Sequence, residues 1–262
     1  MPSDPVTARA EMERLLAPGR GTSRDPSWFR FGDTTLSPDQ VIELLRPFLT
    51  PEREARIDDV LADRTRSLAV VVEGVVDTGN IAAVMRTADG FGVQEFHAID
   101  TAGSYKHSKR TAQGSEKWLD RRKWRSTAAC IEYLRAAGYR IVAAHLDEDA
   151  VPLETIDFSI PTAVAFGNEL AGLSPELIEA ADMTTVIPIT GFVQSFNLSV
   201  AAAVMLYRAR VDRQMRLGHH GDLDATDRLR TKAVFVMKSV KHHRRIIERL
   251  VAEGRLVPDR SD

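Results

Sequence analysis

LAVVVEGVVDTGNIAAVMRTADGFG, residues Leu68 to Gly92, decides the fold. Its first eight residues are an almost continuous apolar, β-branched run, which suits a strand covered on both faces. NIAAVMRTADGFG then continues as a helix of small and apolar residues. A buried strand feeding a helix is the repeating unit of a parallel sheet, so the question is whether the unit recurs.

It does. EFHAID (Glu95–Asp100) is the next strand, and TAACIEYLRAAG (Thr127–Gly138) has a helical apolar period that stops at Gly138. YRIVAAHL, TAVAFG and TTVIPI read as further strands. LSPELIEAAD starts a helix with the Ser174 cap and Pro175, and NLSVAAAVMLYRAR is a long apolar helix. The expectation is an α/β fold, a largely parallel sheet with helices on both faces, from about Leu68 to Arg210.

Upstream, PEREARIDDVLADRTR has Ile57, Val60 and Leu61 at helical spacing, leaving its arginines to face solvent or a ligand. Residues 1–50 read as an appendage around one short helix, SPDQVIELLRPFL, with Ser37 as its cap. After the turn-rich LGHHGDLD, residues 225–254 resume helical periodicity with a basic face. The sequence therefore divides into an appendage (1–50), a main domain with an N-terminal helix (51–213) and a basic helical extension (214–262). No internal repeat is found.

Composition narrows the class. In 262 residues, 44% are hydrophobic and 27% charged, ordinary for a globular core, and the net charge of −2 excludes a wholesale polycation. The single cysteine, Cys130, allows no intrachain disulfide and no thiolate cluster. No signal-like core opens the chain, and no run approaches the roughly 20 apolar residues of a membrane span. A cytoplasmic protein without membrane partners is expected.

In open α/β sheets ligands bind beyond the carboxyl ends of strands, so the strand-to-helix turns hold the candidates. The first carries Asn80 and Arg86. Asn80 suits a helix cap; Arg86, in a small apolar helix, suits an exposed helix position, a structural ion pair or a guanidinium fork on a phosphate. The second, AFGNELAGLSP, presents Glu169 between Gly167 and Gly172, where backbone can approach a ligand closely. The third, QSFN, places Ser195 and Asn197 between a strand and a long helix, as caps or as site residues. No G-x-G-x-x-G, G-x-x-x-x-G-K-[ST] or G-x-S-x-G occurs, which weighs against nicotinamide, nucleoside-triphosphate and common hydrolase chemistry. The histidine pairs 219/220 and 242/243 are adjacent rather than i, i+4, so no metal is expected. YKHSKRTAQGSEKWLDRRKWR (Tyr105–Arg125) interleaves basic and aromatic residues, a surface suited to RNA phosphates, and KSVKHHRRIIER adds a second basic run.

Taken in order, NIAAVMRTADGFGV, FGNELAGLS and IPITGFVQSFNLSVAAAV resemble the three motifs of the SpoU/TrmH family of SPOUT RNA 2'-O-methyltransferases. The likeness runs from about Arg53 to Arg213. RIDDVLADRTRSLAVVVEGV, GSEKW and AAHLDEDAV are most similar to the branch that methylates a guanosine ribose in the tRNA D-loop. The resemblance implies S-adenosylmethionine as cofactor, a C-terminal deep trefoil knot and a homodimer. It also implies Asn80, Arg86, Glu169, Ser195 and Asn197 as the catalytic set, and a cofactor lying against Ala144, Gly167, Ile187 and Phe196, largely through backbone. Arg56, Arg64, Lys117 and Arg213 match positions that hold tRNA. Phe196 and Leu198 stand where the family has Leu and Val, and Val211 where it carries an arginine. An rRNA ribose methyltransferase and a catalytically silent RNA-binding homologue are the alternatives; the intact motifs weigh against the second.

Overall fold

A computed structural model describes residues 29–100 and 114–255. Along the chain come a hairpin of β1 (Phe29–Phe31) and β2 (Thr34–Leu36), then helices α1 (Pro38–Leu45) and α2 (Pro51–Ala62). β3 (Thr65–Glu73), α3 (Thr78–Gly90), β4 (Val93–Ile99), β5 (Asp120–Trp124) and α4 (Thr127–Ala136) follow. β6 (Arg140–Ala144), β7 (Val151–Pro152), β8 (Thr162–Phe166), α5 (Pro175–Ala180), β9 (Met183–Val186) and α6 (Leu198–Leu217) complete the alternation. The described chain closes with α7 (Ala225–Ser239) and α8 (His243–Ala252).

These elements form two compact units. One comprises Thr65–His220; the other combines the described parts of Gly19–Arg64 and Gly221–Asp262. The helix at 51–62 thus groups with the terminal segments, whereas the sequence placed it with the main domain.

The first unit is built on a seven-stranded sheet in the order β5-β4-β3-β8-β6-β9-β7, and every pairing is parallel. The alternation of side chains along β3 accounts for its unbroken apolar run. Leu68, Val70 and Val72 enter a core with Ile81, Val84 and Met85 of α3 and Ala202, Met205 and Leu206 of α6. Ala69 and Val71 enter another with Cys130 and Leu134 of α4 and Leu177 of α5. Helices therefore cover both faces, as expected.

The edge strand β5 (DRRKW) was not foreseen. A strand carrying three basic residues has no apolar period, yet each finds a local place. Arg121 is buried, Arg122 lies 4.5 Å over the Tyr133 ring and Lys123 pairs with Asp100 at 2.8 Å. Much of the expected phosphate-tracking stretch is thus occupied within the fold; its residues Tyr105, Lys106, Lys109 and Arg110 lie outside the described residues.

In the second unit, α1 starts from a reciprocal capping box. Gln40 N donates to Ser37 Oγ and Ser37 N to Gln40 Oε1, at 3.2 and 2.8 Å. α1 packs on α7 and α8, and α2 on α7. The single long C-terminal helical period is in fact two helices, broken where Val240 turns extended and His242 adopts φ +58°. No helix among the described residues is long and apolar enough to cross a membrane.

Candidate active site

β3 ends at Glu73, which is 2% exposed. Its carboxylate accepts from Thr127 Oγ1 at 2.6 Å and from Ser174 N and Oγ at 2.8 and 2.9 Å, so a buried charge at a strand end is fully employed in joining turns. Next to it, Cys130 is buried. Desolvation, with the Glu73 charge adding, pushes its thiol up to about 12, which makes it a neutral core residue rather than a nucleophile.

The helix after β3 is capped by Asp77, whose Oδ1 accepts from Gly79 N at 2.7 Å. Asn80, expected as the cap, sits one turn in, with its carboxamide released for another use. The second turn is shaped by Asn168. Its Oδ1 accepts from Leu170 N and Ala171 N, and its Nδ2 donates to Gly74 O at 2.9 Å, which ties the second turn to the first. Asn168 and Gly172 exchange backbone hydrogen bonds across this loop. The loop closes so tightly on Gly167 that an added Cβ would lie 2.2 Å from the Gly172 carbonyl carbon; only glycine fits. Glu169 is thereby held out at the rim. In the third turn Asn197 does cap α6, accepting from Ser199 N at 2.9 Å.

The three turns meet through side chains. Asn80 Nδ2 donates to Glu169 Oε1, and Asn197 Nδ2 donates to Asn80 Oδ1 at 3.3 Å. Beside this chain lies a cavity of about 240 Å³. Ala144, Gly167, Ile187 and Phe196, the four positions matched to cofactor binding, all line it, as do Glu169 and Ser195. His145, Leu146 and Met205 line it too and were not anticipated; a residue just beyond a strand end is the only sequence cue they carry. From Ile187 to Phe196 no backbone N–H or C=O bonds to another described group, so Ile187, Ile189, Gln194, Ser195 and Phe196, which line the cavity, bring unpaired backbone to it.

Arg86 does not line the cavity; it is exposed on α3 and forms no hydrogen bond or ion pair with a described residue. The four positions matched to tRNA separate into two kinds. Arg56 is exposed on α2, and Lys117 is exposed with Nζ 4.6 Å over the Trp118 ring. Arg64 and Arg213 are each 1% exposed, which corrects the expectation that they present charge to RNA. Arg213 donates to the carbonyls of Phe158 and His220, both at 3.1 Å, and Arg64 lies 5.5 Å over the Phe235 ring. Arg208 is likewise engaged, with Glu154 O and Asp212. Sequence shows where an arginine is, but not whether backbone carbonyls surround it. Among the described residues no group of three or more His, Cys, Asp or Glu side chains is gathered as a metal site.

The chain is similar in sequence and fold to known RNA-modifying enzymes. The tRNA (guanosine(18)-2'-O)-methyltransferase of Escherichia coli is 37% identical over 166 residues, 63% of this chain and 72% of that one. The enzyme of the same name from Thermus thermophilus is 39% identical over 164 residues, 63% of this chain and 84% of the relative. The crystal structure of the Aquifex aeolicus TrmH/SpoU tRNA modifying enzyme superposes with a TM-score of 0.65 at 31% identity, covering 72% of this chain and 97% of that one. With the family model matching residues 67–207, across the sheet and all three turns, this chain belongs to the SpoU rRNA Methylase family.

Proposed function

We propose that this protein transfers a methyl group from S-adenosylmethionine to the ribose 2'-hydroxyl of guanosine 18 in the tRNA D-loop. The observation that carries the reading is the hydrogen-bonded convergence of Asn80, Glu169 and Asn197, from three separate turns, on a cavity that Glu169 lines. Both curated relatives described above are named for that reaction.

The cavity suits the cofactor. Its floor is apolar, from Ile187, Leu198 and Met205, and Ile189, Gln194, Ser195 and Phe196 line it with backbone that no described group pairs, a combination that takes a nucleoside through backbone hydrogen bonds and apolar contact. Ala144, Gly167, Ile187 and Phe196 would hold it. When bound, S-adenosylmethionine supplies a methyl group already activated by the positive sulfur. The protein is left to align the hydroxyl and assist departure of its proton, work in which positioning alone contributes several kcal/mol. Glu169 Oε2 accepts no hydrogen bond from a described residue and stands ready for a hydroxyl. Arg86, exposed and without a hydrogen bond to a described residue, offers its guanidinium fork as a clamp on a substrate phosphate.

The same reading includes a cytoplasmic homodimer whose sheet ends in a deep trefoil knot. Val200, Val204 and Tyr207, spaced i, i+4 and i+7 on α6, are 46, 39 and 59% exposed, and Phe192 and Val193 in the segment before α6 are exposed as well. Such a face on one chain suits burial against a second copy. The knot is supported by the segment that leaves β9, whose Ile187, Ile189, Gln194, Ser195 and Phe196 line the same cavity as His145 after β6 and Gly167 after β8. Arg56 and Lys117 are the tRNA contacts within this reading.

Labelled methyl transfer to total tRNA and, separately, to rRNA, followed by nucleoside analysis, tests the proposal. Wild-type protein should yield 2'-O-methylguanosine in tRNA, with at least a hundredfold loss in Arg86→Ala; label confined to rRNA would move the substrate to the ribosome.

A further inference from the structure

The hydrogen-bond chain joining the three turns has a direction, and Ser199 sets it. At one end the Ser199 backbone N–H can only donate; at the other the Glu169 carboxylate accepts through Oε1. Between them stand two carboxamides, each of which could be turned either way. Asn197 Oδ1 receives two donors from one residue, Ser199 N at 2.9 Å and Ser199 Oγ at 2.6 Å. With its oxygen so committed, Asn197 must present Nδ2 to Asn80 Oδ1, 3.3 Å away. Asn80 must in turn present Nδ2 to Glu169 Oε1. Reversing either amide would set donor against donor or oxygen against oxygen.

We infer that the Ser199 hydroxyl is a positioning residue for the methyl acceptor. It fixes Asn197, and through it Asn80, so that Glu169 is held by Oε1 while Oε2 accepts the hydrogen bond of the ribose hydroxyl; this last step rests on the proposed ribose methylation. Helix capping does not explain the hydroxyl, because the Ser199 backbone N–H alone satisfies the cap. The second donor matters because the chain lies at an exposed rim, where water competes for every bond. A lone backbone donor would leave the Asn197 amide freer to rotate, and disorder there passes to Asn80 and then to Glu169.

The test has two arms. In the first, side-chain amide resonances of Asn80 and Asn197 are followed by NMR in cofactor-free protein. Ser199→Ala should shift or broaden both pairs, and Ser199→Thr, which keeps the hydroxyl, should leave both near their wild-type positions. In the second, Ser199→Ala should lower kcat about fivefold to tenfold, the scale of one hydrogen bond, with KM for tRNA and for S-adenosylmethionine unchanged, and Ser199→Thr should restore it. An Asn80 amide that ignores Ser199→Ala, or a Ser199→Ala enzyme with wild-type kcat, overturns the inference. So does an equal loss in Ser199→Thr. The amide arm needs no RNA, so a failure of the proposed activity would appear separately, as absent turnover by wild-type protein.

Discussion

Asn80 is the residue on which the site turns, because its carboxamide hydrogen-bonds to both the second and the third motif. Asn80→Asp is nearly isosteric yet replaces a donor with a carboxylate facing Glu169. At pH 8 this variant should lose at least tenfold in kcat while still binding cofactor, since like charges in contact both lose their function. Lowering the pH should narrow the deficit, as one carboxylate of the pair takes up a proton and becomes a donor again; a pH profile of kcat relative to wild type measures this. A constant deficit from pH 6 to 8 would argue that the amide is only a spacer. The three polar turns were legible in sequence as candidates, with helix capping as the competing reading of Asn80 and Asn197, and their combination into one set rested on the resemblance. What was not legible was the division of labour. Asp77 rather than Asn80 caps α3, and Asn168, a polar residue between two other candidates, shapes the turn that holds out Glu169.

Among the elements, the strands with apolar periods were readable and β5 was not, because its basic residues are placed by Tyr133 and Asp100, partners that periodicity does not encode. The break between α7 and α8 was hidden for a related reason. Its residues, Lys241 and His242, are compatible with helix, and the turn is set by tertiary packing that leaves His242 at φ +58°. That break brings His243 into a half-buried position, where burial, with the Arg244 and Lys238 cations adding, outweighs the hydrogen bond to Val240 O and holds its pKa below the ordinary 6.5. The sign of the consequence is fixed. As pH falls from about 6.5 the unfolded chain takes up this proton before the folded one does, so the stabilisation present above that value is progressively lost. His243→Gln should flatten the pH dependence of the denaturation midpoint between about pH 7 and 5; an unchanged slope would show that other groups carry it.

For the molecule as a whole, the exposed apolar ridge of α6 is the feature that a single chain leaves unexplained. Val204→Asp should turn a dimer into a monomer by light scattering and reduce methyl transfer, while the sheet, which does not depend on that face, keeps its far-ultraviolet signature. A Val204→Asp protein that remains dimeric would place the interface elsewhere. The parallel sheet was foreseeable from alternation alone. Assignment of Arg64 and Arg213 was not, because their burial depends on carbonyls and rings from distant segments. One atom of the substrate, the guanosine 18 2'-hydroxyl, decides the reaction, and two otherwise identical tRNAs report on it, one carrying guanosine at that position and the other 2'-deoxyguanosine. Wild-type enzyme with labelled S-adenosylmethionine should methylate the first and leave the second unlabelled. Equal labelling of both would contradict ribose methylation at that site.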